Sequence, residues 1–137
     1  MSATRALIMC LLTLTLGACS VTGPTGPVTE RQAWITEKVK HFSNVAGVTI
    51  GTVAFAEPPT RRDGLIAAGW VECPKTGSRN TVWFNVDYLE SGPEDYLVAV
   101  AAHEVCHIYY RENEWPCVAD ERRASVCGDG LMRGIRP

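Results

Sequence analysis

Between Leu97 and Ile108 the apolar residues Leu97, Val98, Ala101, Val105 and Ile108 recur at spacings of three and four. Val100, His103, Glu104, His107 and Tyr110 fall on a different face of the same segment. This pattern dictates an amphipathic α-helix with one buried stripe, and the rest of the chain must supply the surface that covers it. The helix entrance is written as Ser91-Gly92-Pro93-Glu94, which reads as a capping box between Ser91 and Glu94 with Pro93 in the first turn. Asn113 and then Pro116 predict its end, because the residue before a proline avoids the α region.

Inside that helix stands His103-Glu104-Val105-Cys106-His107. At about 100° per residue the two imidazoles share a face, roughly 6 Å apart along the axis, close enough to hold one metal ion. Glu104 beside them is placed to take a proton from a water on that metal. A catalytic zinc takes three protein ligands, so a third must come from elsewhere. The run Pro116 to Cys127 predicts a second helix, with Pro116 at its first position and Gly128 as its stop. In an antiparallel hairpin His107 and Glu121 come at similar heights, which makes Glu121 the candidate third ligand. Asp120 points about 100° away from that direction and is the alternative. Cys106, next to His107, also points about 100° away from the histidine face.

Together these residues resemble the zincin metallopeptidases, and among them the gluzincin branch, in which a glutamate on a following helix completes the metal site. The likeness runs from Tyr96 to Cys127, and Glu121-Arg122-Arg123-Ala124 is similar to the Glu-x-x-Ala pattern around that ligand. Where many such families carry an acidic residue that orients a histidine, this chain has Ser125. The resemblance implies one zinc ion on His103, His107 and Glu121, and peptide-bond hydrolysis by a zinc-activated water. In that reading Glu104 serves as general base and then as proton donor to the leaving amine. It also implies a substrate paired with the open edge of a strand beside the helix. Tyr110 is the candidate oxyanion stabiliser, with Tyr109 and His41 as other possibilities.

Upstream, Thr29 to Phe42 predicts a helix opened by a Thr29/Gln32 capping box, with Ile35, Val39 and Phe42 on one stripe. Three runs read as strands: Val48 to Phe55 with Gly51 marking a bulge, Leu65 to Cys73, and Thr81 to Tyr88. Pro74 to Ser78 reads as a hairpin connection between the second and third. The order of helix, three strands and two helices predicts an α+β domain over 29–137, in which an antiparallel sheet covers the active-site helix.

At the N-terminus Arg5 precedes the apolar run Ala6 to Leu16, too short to span a bilayer and of the length of a secretion signal. Leu16-Gly17-Ala18-Cys19 resembles the bacterial lipobox, which implies a signal over 1–18, lipid on Cys19 and a flexible tether through 28. Ser20 in the next position implies the periplasmic face of the outer membrane in a Gram-negative host. The tether Ser20 to Pro27 reaches at most about 25 Å, so the domain is expected to work close to the membrane surface.

With Cys10 lost and Cys19 lipidated, Cys73, Cys106, Cys117 and Cys127 remain to pair. Cys117 and Cys127 on one helix are about 15 Å apart, beyond disulfide reach, and Cys106 and Cys127 come at similar heights in the hairpin, so Cys106 with Cys127 and Cys73 with Cys117 is the expected connectivity. Lys and Arg total 13 against 15 Asp and Glu, with no basic cluster beyond Arg61-Arg62 and Arg122-Arg123. Nucleic acid is therefore not an expected partner. The expected partners are a protein or peptide substrate, peptidoglycan peptides included, and the membrane. The competing expectation is a non-catalytic envelope lipoprotein whose helices serve stability or partner binding, with zinc structural or absent. Glu104 separates the two, since a purely structural zinc site has no use for an acid between its histidines.

Overall fold

A computed structural model of the protein describes residues 28–57, 66–71, 80–113 and 121–137. They form an α+β fold of α1 (Glu30–Ala46), β1 (Thr52–Ala56), β2 (Gly69–Val71), β3 (Thr81–Asn85), α2 (Val86–Ser91), α3 (Glu94–Asn113) and α4 (Glu121–Met132). None of the described helices is long and apolar enough to cross a membrane. Residues 1–27, Cys73, the Pro74 to Ser78 connection, Pro116, Cys117 and Asp120 lie outside the described residues.

The Thr29/Gln32 capping box opens α1, with Thr29 Oγ1 accepting from the Gln32 N–H at 3.1 Å and Gln32 Oε1 accepting from the Thr29 N–H at 3.0 Å. The helix runs past Phe42 and stops at Gly47, whose φ of 72° is a left-handed conformation suited to glycine. Ile35, Val39, Phe42 and Ala46 are buried. Arg31 fastens α1 to the junction of α2 and α3, donating to the carbonyls of Leu89 and Gly92 at 2.6 Å each.

The sheet is mixed, in the order β1-β3-β2. The all-antiparallel sheet expected from the sequence is therefore half right: β2 runs antiparallel to β3, but β1 lies parallel to it, Thr52 opposite Thr81. Alternation of apolar residues fixes which face a side chain takes, and carries no information about strand direction. Val82 and Phe84 of β3 are fully buried against the helices, with Phe55 stacked on Phe84 at 6.4 Å. On the other face Trp70 and Trp83 stack as a cross-strand pair, 5.8 Å apart.

Two boundaries differ from expectation for one reason. The strand expected through Tyr88 ends at Asn85, whose side chain accepts from the Asp87 N–H at 3.0 Å and caps α2. Ser91 therefore lies inside α2, where its hydroxyl donates to the Asp87 carbonyl at 2.7 Å instead of capping the next helix. Helix α3 starts at Glu94, and the Pro93 carbonyl accepts its first bond from the Leu97 N–H at 3.1 Å. Gly51 is not a bulge within a strand: it stands at the entry to β1, where its N–H and that of Thr52 both reach the Asn80 carbonyl, at 2.7 and 3.1 Å.

Leu97, Ala101, Val105 and Ile108 are fully buried, and so are Ala102 and Cys106. The buried stripe is wider than the spacing predicted because α3 is covered on one side by α1 and the sheet and on another by α4. The sulfurs of Cys106 and Cys127 are at disulfide distance, with Cα atoms 6.0 Å apart. Gly128 does not stop α4, which continues to Met132. A Cβ there would come 3.1 Å from the backbone N of His103 and 3.3 Å from its Cα. The cost of about 1 kcal/mol for glycine in a helix is offset by the close approach it permits.

That contact yields a prediction. Alanine at 128 gains about 1 kcal/mol of helix propensity and loses about 1–3 kcal/mol by overpacking. The neighbouring backbone cannot give way, since the Cys106–Cys127 link holds the two helices together one position away. Gly128→Ala is expected to destabilise the protein by about 1 kcal/mol, read as a lower urea midpoint at unchanged m-value.

Candidate metal centre

Two adjacent helices position the site. His103 and His107 project from α3 one turn apart, and Glu121 opens α4. His103 Nε2 is 3.0 Å from Glu121 Oε2 and 3.0 Å from His107 Nε2, and His107 Nε2 is 3.5 Å from Glu121 Oε1. All three ligand atoms lie within 4.8 Å of one another. Ligand atoms about 2.0–2.1 Å from a tetrahedral zinc are about 3.3 Å apart, close to the nearest separations here, which draw on both Glu121 oxygens. Two imidazole nitrogens with one carboxylate is also the donor set of a catalytic zinc. The side chains grade from 12% exposed at His107 to 59% at Glu121, so the site opens towards solvent on the α4 side.

Ser125 sets the chemistry of His103. Its hydroxyl donates to the Glu121 carbonyl at 2.9 Å, and its Oγ lies 3.2 Å from His103 Nδ1. A hydroxyl has one proton to give, so Oγ accepts from Nδ1–H and the Nε2 lone pair faces the Glu121 carboxylate. This tautomer is assigned from the hydrogen-bond network. A lone pair against a carboxylate at 3.0 Å is repulsive unless a cation, a proton or a metal ion, stands between them. Ser125 thereby fills, with a neutral group, the position at which the resemblance leads one to look for an acid.

Glu104 is 6% exposed and lines a cleft of about 400 Å³ together with His103. The cleft lies between β2, α3 and α4. Gly69 lets the strand approach: a Cβ there would meet Val100 Cγ1 at 2.7 Å and lie 3.4 Å from Glu104 Cγ. β2 pairs with β3 along one edge and has no strand on its other edge among the described residues. Sequence reasoning missed Gly69 and Gly128 as parts of the site. The available signal was a glycine inside an apolar strand pattern and another inside a helical one.

The structure thus brings His103, His107 and Glu121 together, with Glu104 on the same helix. Tyr110 sits on the seam between α3 and α4, its ring beneath the Arg123 guanidinium at 4.0 Å. Tyr109 donates its hydroxyl to the Pro137 carbonyl at 3.3 Å, and His41 lies on α1 with its ring against Phe42. No protein-family model, curated protein or solved structure matches this chain.

Proposed function

We propose that the protein is a zinc-dependent endopeptidase of the bacterial cell envelope, anchored through lipid on Cys19. The observation that carries this reading is the convergence of His103, His107 and Glu121 beside an open cleft whose wall includes the buried Glu104. The lipobox-like Leu16 to Cys19 supports the anchor, and the Cys106–Cys127 pair fits an oxidising compartment.

His103, His107 and Glu121 would hold the ion. Zinc supplies Lewis acidity there, lowering the pKa of water and polarising a peptide carbonyl. The chain's own residues do the rest. Glu104, shielded from bulk solvent, takes the proton from the attacking water on its carboxylate and returns it to the leaving nitrogen. Ser125 keeps the His103 proton on Nδ1. The edge of β2 that carries no strand among the described residues offers backbone N–H and C=O groups with which an extended substrate can pair.

Metal removal tests the assignment. The purified protein is expected to cleave an unstructured peptide, to lose that activity in a chelator and to recover it with one equivalent of zinc. Cleavage that is indifferent to the chelator, or absence of cleavage with one zinc bound, contradicts it.

A further inference from the structure

The cleft beside the metal site has a lining that the hydrolytic chemistry does not use. Part of its wall is apolar, formed by Ala99 and Val100 of α3 with the chain leading into β2. Its mouth holds Ile66, 62% exposed, and Tyr96, 48% exposed, whose ring is backed by that of Tyr88 at 6.5 Å. The opposite wall, on α4, ends in Asp129, an exposed carboxylate with no ion-pair or hydrogen-bond partner among the described residues. Apart from Glu104, it is the only carboxylate among the described residues that line the cleft, and no lysine or arginine is among them.

A cleft with an aliphatic stretch at Ala99 and Val100 and with the exposed Asp129 carboxylate and Tyr96 ring in its lining suits a side chain with an aliphatic stem and a cationic head. The stem buries its methylenes along the wall while the head stays hydrated at the mouth. An opposite charge at Asp129 and the ring of Tyr96 both line the cleft and favour a cation there. A purely apolar side chain would leave Asp129 idle, and an acidic one would be repelled by it.

We infer that this cleft is a specificity pocket for a basic residue, of lysine or arginine type, next to the scissile bond of a peptide substrate. The inference rests on the peptidase reading, because it is contact with His103 and Glu104 that places the pocket beside the bond to be cut.

The test uses three peptides identical except at one position, which holds lysine, norleucine or glutamate, with cleavage sites mapped by mass spectrometry. The zinc-loaded protein is expected to cut beside lysine about tenfold faster than beside norleucine, and slowest beside glutamate. Asp129→Asn is expected to bring the lysine-to-norleucine ratio close to one, and Asp129→Lys to shift the preference towards glutamate. Circular dichroism checks that both variants are folded. Equal cleavage of the lysine and norleucine peptides, or a ratio that survives Asp129→Asn, overturns the pocket while leaving the peptidase standing. Failure of zinc-loaded protein to cut any of the three overturns both.

Discussion

Glu104→Gln is expected to keep one zinc per chain and to lose about 100- to 10,000-fold in kcat/KM, the range over which a positioned general base contributes. The amide has nearly the shape of the carboxylate and cannot accept a proton, so the change isolates proton transfer from packing. Shape matters at this position because Glu104 is 6% exposed and its stem faces Gly69. Glu104 is not among the converging ligand groups, which are His103, His107 and Glu121, so metal content should not follow activity down. Metal analysis and steady-state kinetics on the same preparation separate the two. Retained activity would remove Glu104 from the mechanism, and loss of zinc would make it a structural support of the site.

His107→Ala should act on the other half of the site, lowering zinc affinity more than about 100-fold by taking away one of three protein ligands. Ser125→Ala should cost less, about 10-fold, because it removes a hydrogen bond that orients His103 and no ligand. The order of the two effects is the informative result, since a surface-bound ion would respond equally to neither. Thermal unfolding gives an independent reading. Zinc at 1,000 times the wild-type dissociation constant stabilises the native state by about 4 kcal/mol, and the same zinc concentration should stabilise His107→Ala by no more than about 1.4 kcal/mol.

Local chemistry was readable from the sequence wherever one side chain and one backbone group decide the outcome. The Thr29/Gln32 box formed as written, and the one-turn spacing of His103 and His107 does put both imidazoles on one face. The Ser91/Glu94 box did not form, because Asn85 competes first: once its side chain caps α2, Ser91 is committed to the end of that short helix. The alternation from Val82 to Tyr88 looked like one strand for the same reason. Nothing in a period of two announces that a cap interrupts it.

Long-range arrangement was less legible. Whether β1 runs parallel or antiparallel to β3 depends on the path of the chain between them, which alternation does not encode. Gly128 resembled a helix stop because glycine punctuates helices. Its role here depends on His103, a residue distant in sequence, whose backbone would lie tightly against any side chain at that position. The height match between α3 and α4, by contrast, followed from residue rise alone. It brings Glu121 to the two histidines and Cys106 to Cys127, as the structure has them.

X-ray absorption at the zinc edge of the protein loaded with one equivalent of metal reads the ligand shell directly. The account predicts nitrogen and oxygen scatterers only, at about 2.0–2.1 Å, with the multiple-scattering signature of two imidazoles that falls to one in His107→Ala. A sulfur shell at about 2.3 Å, or a spectrum unchanged by that substitution, would contradict it.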